Sequence, residues 1–243
     1  MLLLLLLSTA FIPLHSARVI GGKEASLTSR PYMAHVEIGS VGSCGGILIR
    51  EDVVLTAAHC NCNLGNIFVY LGVQDFMKPG QSWQRIRVRR WVQHPDFNSE
   101  NYDNDIMLMK MTHAAELNEW VGTIPLPEAD VPVTPGAECS VAGWGRMGAN
   151  TRTDRLQEAE QEVMSDDMCQ DRYWHYDPSR MLCAGSPYVK KAAFQGDSGG
   201  PLVCDGVVQG IVSNGDPDGR PPSIYTRISK FIPWINATLE KLS

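Results

Sequence analysis

The chain has 243 residues, a formal charge of −6, 44% apolar residues, 22 glycines and 15 prolines. That is enough apolar material for one large globular unit or two modest ones, and it excludes a disordered polymer. The mildly acidic balance lacks the basic footprint of a nucleic-acid binder, so no nucleic-acid partner is expected.

Leu2 to Leu7 form an apolar run, continued by Ala10, Phe11 and Ile12 and stopped by Pro13. It is shorter than the ~20 apolar residues that cross a membrane, so no membrane span is expected. Residues 1–16 read instead as a signal peptide cut after Ser16, with a cut after Ala17 as the alternative. The mature chain then reads as secreted (extracellular) or stored in a secretory granule. In such an oxidising compartment cysteines pair, and with 7 of them at least one is left over. Spacing alone does not choose among the pairings of the other six. Cys60-Asn61-Cys62 lacks the gap of a zinc motif, and no metal is expected.

Arg18 precedes the small apolar tetrapeptide Val19-Ile20-Gly21-Gly22. A cut between Arg18 and Val19 would create a new α-amino group, leaving 17–18 as an activation dipeptide. Short β-branched and aromatic runs come next at Tyr32–Ile38, Gly46–Ile49, Val53–Thr56, Ile67–Leu71, Arg85–Val92 and Ile106–Met111. Turn residues punctuate them, which is the spacing of an all-β barrel or sandwich. The stretch from Leu117 to Pro135, with Pro125, Pro127 and Pro132, reads as a linker between two halves. Strand-like runs resume at Cys139–Trp144, Gln157–Met164, Met181–Ala184, Pro201–Cys204, Val207–Ser213 and Ser223–Ile228. The end, Lys230–Leu242, reads as a helix with Ile232, Ile235 and Leu239 on one face and Ser229 as its cap. Asn236-Ala237-Thr238 is a glycosylation sequon.

Chemistry concentrates at Gln195-Gly196-Asp197-Ser198-Gly199-Gly200-Pro201. A serine hydroxyl is a poor nucleophile at its own pKa and needs an adjacent base and donors for the developing oxyanion. The glycines permit a sharp turn and a close substrate approach. Upstream lie His59, in Thr56-Ala57-Ala58-His59-Cys60, and Asp105, in Asp105-Ile106-Met107-Leu108. Each alone is weak: a histidine after small residues is commonly structural, an aspartate before a strand is commonly a turn residue, and Asp103 has the same surroundings. Together they supply base, orienting carboxylate and nucleophile.

Together with Ala142-Gly143-Trp144-Gly145 and Ser213-Asn214-Gly215, these motifs resemble the chymotrypsin-like (trypsin-fold) serine proteases over residues 19–243. Arg30-Pro31-Tyr32-Met33-Ala34 and Phe194 resemble the granzyme, chymase and cathepsin G branch. The resemblance implies an all-β fold of two six-stranded antiparallel barrels, about 30–120 and 136–228, with the cleft between them and a C-terminal helix at about 230–242. It implies disulfides Cys44–Cys60, Cys139–Cys204 and Cys169–Cys183, leaving Cys62 unpaired. It implies a serine endopeptidase with His59, Asp105 and Ser198 as catalytic triad, Gly196 and Ser198 N–H groups as oxyanion hole, and no cofactor. The implied substrate-binding positions are Ala192, Gln195, Ser213, Asn214, Gly215 and Ser223, with Gly215 leaving one pocket wall open, Ser223 on the wall opposite, and cleavage after Phe, Tyr, Leu or Met. Activation would require a trypsin-like cut after Arg18 that lets the Val19 amine pair with Asp197, and serpin-type inhibitors are the implied regulators.

Some features depart from that pattern. Asn214 stands where the family is usually aromatic, and Ala17-Arg18 replaces an acidic dipeptide. Asp216-Pro217 adds an acid and a stiff turn at the rim, and the net charge is negative. Gly72–Trp83 offers one carboxylate, Asp75, too few for a calcium loop. Arg85, Arg87 and Arg89 alternate on one strand face, which reads as solvated, with a sulfated polysaccharide as the alternative partner. A non-catalytic homologue acting as a binding protein would lack a triad member or a glycine donor, and none is missing. A disulfide-held adhesion module would have no ordered triad.

Overall fold

The structure is a computed structural model and describes residues 22–26, 28–40, 42–60, 65–80, 82–148, 151–189, 193 and 197–243. The signal peptide, Arg18, Val19, Cys62, Ala192, Phe194, Gln195 and Gly196 lie outside the described residues. After a short β1 (Lys23–Glu24), the first half consists of β2 (Met33–Ile38), β3 (Gly42–Arg50), β4 (Val53–Thr56), β5 (Ile67–Leu71), β6 (Gln84–Gln93) and β7 (Met107–Met111). These six close into a barrel in the order β2-β3-β4-β7-β6-β5.

Side-chain alternation explains the closure. In β6, Ile86 and Val88 point inward while Arg85, Arg87 and Arg89 face solvent. The exposed arginines are partly engaged on their own surface. Arg85 lies 3.4 Å over the Phe68 ring and donates to Tyr70 Oη at 2.8 Å, and Arg87 donates to Asn66 Oδ1 at 2.7 Å. In contrast, β4 is buried throughout. It pairs with β7 in a register that sets Thr56 opposite Met107. Because the strands are antiparallel, the turn leaving β4 and the loop entering β7 emerge at the same rim. That rim carries His59 and Asp105.

The second half contains β8 (Glu138–Gly143), β9 (Arg146–Gly148), β10 (Thr151–Arg152), β11 (Gln157–Glu162), β12 (Met181–Ala184), β13 (Pro201–Cys204), β14 (Val207–Asn214) and β15 (Ser223–Arg227). Six of these strands, β11-β8-β13-β14-β15-β12, follow one another in a seven-stranded sheet of order β1-β11-β8-β13-β14-β15-β12. The extra strand is β1, whose Lys23 and Glu24 pair with Glu158 and Gln157. The end of β11 meets β12 through an isolated Val163–Ala184 bridge, flanked by bonds from Gly185 N–H to Glu162 O and from Met164 N–H to Cys183 O, each at 2.9 Å.

Two helices complete the chain, α1 (Asp166–Arg172) and α2 (Ile232–Lys241). Sequence reading missed α1, whose only buried residue is Cys169. Its signal was in the ends: Ser165 Oγ accepts from Met168 N–H, Asp166 and Asp167 fill the first turn, and Arg172 the last. Ser229 does not cap α2. It is buried in a 3-10 turn, Ile228–Lys230, and α2 begins at Phe231 with Pro233 in its first turn and no side-chain cap. Ile235 is fully buried, Asn236 faces solvent, and Trp234 and Phe231 pack on His94 beside the first barrel. No helix among the described residues is long and apolar enough to cross a membrane.

The three expected disulfides are formed: Cys44–Cys60, Cys139–Cys204 and Cys169–Cys183. The first ties β3 to the turn that carries His59. The second joins paired strands β8 and β13, and the third anchors α1 to β12.

A charged cluster supports the β3–β4 turn. Asp52 accepts from Arg50 Nε at 2.6 Å and pairs with Lys110 of β7. Burial alone would raise the Asp52 carboxyl, but hydrogen bonds from Lys110 and Arg50 bring it below its ordinary value. A depressed folded-state pKa contributes stability above the unfolded value and loses it as pH falls through the folded one. Asp52→Asn is therefore expected to lower Tm at neutral pH, with the deficit shrinking toward about pH 2. A deficit equal at both pH values in thermal melts would contradict the ion-pair account.

Candidate active site

The turn Ala58–Cys60 presents His59 directly after β4. Its backbone N–H donates to Asp105 Oδ1 at 2.9 Å, and its Nδ1 lies 2.7 Å from Asp105 Oδ2. Asp105 has no exposed surface. Ser213 Oγ also donates to Asp105 Oδ2, at 2.5 Å, and Thr226 Oγ1 donates to the Asp105 carbonyl at 2.7 Å. An acceptor-only carboxylate facing Nδ1 selects the tautomer with the proton there, which leaves Nε2 as the ring's lone-pair nitrogen. Asp103, with similar sequence surroundings, points elsewhere and meets Arg180 Nε at 3.1 Å.

Ser198 stands on a tightly bonded turn. Its carbonyl accepts from Gly45 N–H at 2.7 Å, and Gly199 N–H donates to Val212 O at 2.8 Å. Gly199 has φ +81°, and a Cβ there would stand 2.2 Å from Thr56 Oγ1 and 2.5 Å from Gly45 O. Only glycine fits. The preceding Asp197 is buried, and its Oδ1 accepts from Gly145 N–H at 2.8 Å. Side chains on Gly143 or Gly145 would strike this carboxylate, at 2.1 and 2.5 Å from Oδ1. The Ala142-Gly143-Trp144-Gly145 motif thus gives Asp197 its space.

His59, Ser198, Ser213, Asn214, Gly215 and Ser223 line one cleft of about 380 Å³. Three larger hollows, of about 700, 560 and 510 Å³, share none of these residues and hold no comparable set of nucleophile and base. Ser223 opens β15 beside the end of β14, with its Oγ 3.7 Å from where a Cβ on Gly215 would stand. Gly215, directly after β14, and Ser223 are therefore close neighbours in the cleft. Of the other predicted site residues, Arg18, Val19, Ala192, Gln195 and Gly196 lie outside the described residues.

The rim holds one residue that sequence reading did not assign, Tyr102, and gives partners to others that it did. The Tyr102 ring stands 5.5 Å from His59, edge-on at 77°, and its backbone has φ +60°, uncommon for a bulky residue. The Asn/Asp-rich surroundings of Tyr102 mark a turn, but nothing in them says that an aromatic ring enters the cleft. Asp216 is neutralised by an ion pair with Arg172 at the end of α1. Asn214 meets His175, with Nδ2 and Nε2 3.4 Å apart. Asp75, the lone acid of its loop, bonds Arg155 Nε at 3.1 Å. Among the described residues, the one grouping close enough to share a metal ion is Cys44, His59 and Cys60, and both sulfurs are joined in a disulfide.

Comparison with known proteins agrees with this geometry. The trypsin family matches residues 19–235. Duodenase-1 of Bos taurus is 50% identical, over 99% of this chain and 97% of its own. Cathepsin G of Homo sapiens is 43% identical, over 97% and 94% respectively. A solved structure described as "Structure of GrC" superposes with a TM-score of 0.86 at 39% identity, covering 90% of this chain and 99% of that one. A buried carboxylate on a cleft histidine, a serine on a glycine turn beside it and relatives matched almost end to end place the chain in the trypsin family, as a serine endopeptidase.

Proposed function

We propose that Ser198, His59 and Asp105 hydrolyse peptide bonds through an acyl-enzyme. The observation that supports this most is the fully buried Asp105 carboxylate bonded to both the backbone and the ring of His59. His59 Nε2 takes the Ser198 proton as Oγ attacks the carbonyl carbon, then gives it to the departing amine. Asp105 holds the tautomer and stabilises the imidazolium. Water then repeats the sequence to release the acid. Backbone N–H groups of Gly196 and Ser198 hold the oxyanion, where a single donor is worth ~3 kcal/mol. Ser213 to Gly215 offer an edge on which the substrate backbone adds as an antiparallel strand.

The preference we propose for the residue before the cut is Phe, Tyr, Leu or Met. Ala192 brings no carboxylate to meet a substrate Arg or Lys, whose buried charge would stay unpaired at a cost of several kcal/mol. Ser223 contributes a hydroxyl and no charge. Apolar burial then decides, at ~1.5–3 kcal/mol per side chain. Matched peptides differing only at this residue are expected to be cut fastest after the aromatic and large aliphatic ones. Faster cleavage after Arg, Lys, Asp or Glu would overturn the assignment.

Activity is proposed to await a cut after Arg18 by a trypsin-like protease. The Val19 amine then joins the buried Asp197, because a buried carboxylate gains most from a charge that desolvates with it. Protein retaining Arg18 is expected to hydrolyse peptide and ester substrates far more slowly than protein beginning at Val19. Equal rates would contradict this switch.

A further inference from the structure

The cleft edge contains a hydrogen bond that bears on how a substrate docks. Gly215 N–H is one of the donors of the strand edge assigned to the substrate backbone. In this structure it donates to the side chain of its neighbour, reaching Asn214 Oδ1 at 2.7 Å. The amide is held in that position from its other end, with Nδ2 3.4 Å from His175 Nε2. The Gly215 donor requires oxygen on one side of the amide, which leaves nitrogen facing His175, so both contacts agree on one orientation. Burial holds the His175 imidazole below its usual pKa, keeping it neutral and able to accept from an amide N–H at neutral pH.

The segment carrying His175 is fixed to the rim. Tyr173 Oη donates to Pro222 O at 2.6 Å, Arg172 pairs with Asp216, and the Trp174 ring meets His175 edge-on at 5.3 Å. The contact is thus supported from outside the loop that makes it.

We propose that Asn214 is a specificity-determining cap: its amide, positioned by His175, occupies the Gly215 N–H and selects against substrates that need that donor. The proposal rests on reading Ser213 to Gly215 as the substrate-pairing edge. A substrate engaging only the residue before the cut has no use for Gly215 and meets no obstacle. One extending several residues upstream must displace the amide, exchanging one hydrogen bond for another and gaining little from its added length. An aromatic residue at this position has no acceptor with which to make the cap.

The test compares kcat/KM for a single-residue ester and a tetrapeptide anilide sharing the same residue before the cut. The readout is the ratio of tetrapeptide to ester, with KM and kcat separated. Asn214→Ala removes the cap, and the ratio is expected to rise about fivefold, the order of one net hydrogen bond, mainly through KM. His175→Ala frees the amide and is expected to raise the ratio in the same direction. Asn214→Asp keeps an oxygen acceptor for Gly215 N–H and is expected to leave the ratio low. A ratio unchanged or lowered in both alanine variants would overturn the proposal, since the amide would then be neutral or a contact for the substrate. An unaltered chain, cut after Arg18, that failed to hydrolyse the ester would refute the triad reading and the cap with it.

Discussion

Everything in the cleft depends on one carboxylate that has no contact with water. Asp105 is fully buried, and an ion in that position is tolerable only when its oxygens are bonded. Its partners come from both halves of the molecule. His59 belongs to the first barrel, whereas Ser213 belongs to the second sheet, whose Thr226 also holds the Asp105 backbone carbonyl. Satisfying one charge therefore aligns the two halves and orients the imidazole. Removing a partner leaves a charge poorly compensated in a dry interior, where the loss is larger than the bond itself is worth on the surface.

The serine is positioned by the opposite means. Space, not charge, is what its turn requires. Gly199 passes so close to Thr56 and Gly45 that no side chain fits, and Gly143 and Gly145 leave room for the Asp197 carboxylate. Gly45 N–H on β3 then holds the Ser198 carbonyl. The Cys44–Cys60 disulfide lies between these two constructions, tying the strand that supports Ser198 to the turn that bears His59. Nucleophile and base are thus fixed to the same part of the first barrel, although Ser198 comes far later in the chain.

Features set by local chemistry were legible in the sequence. Val53–Thr56, Ile67–Leu71, Met181–Ala184 and Pro201–Cys204 form strands at the bounds that their apolar runs suggest. β3 runs longer than its apolar signal because Gly42 to Gly45, poor in strand formers, are held by pairing with β2. Helix α1 has no apolar stripe, and Cys169 anchors it through a disulfide that its own residues do not announce. The seventh strand of the second sheet depends on Lys23 and Glu24 meeting β11, a pairing made at long range. Asn214 was visible as a departure, but its bond to His175 joins residues 39 apart in the chain. The adjacency of Ser223 and Gly215 likewise comes from the register of β14 and β15, which residue types alone do not specify.

The central claim is that one serine is activated by one histidine held by a buried aspartate. A fluorophosphonate tests it directly, since attack by an activated serine oxygen on phosphorus expels fluoride and leaves a stable adduct. The protein beginning at Val19 is expected to acquire one adduct, mapped to Ser198 by peptide mass, with labelling abolished in His59→Ala and slowed in Asp105→Asn. Labelling at another residue, or at Ser198 with a rate indifferent to both substitutions, would contradict the account.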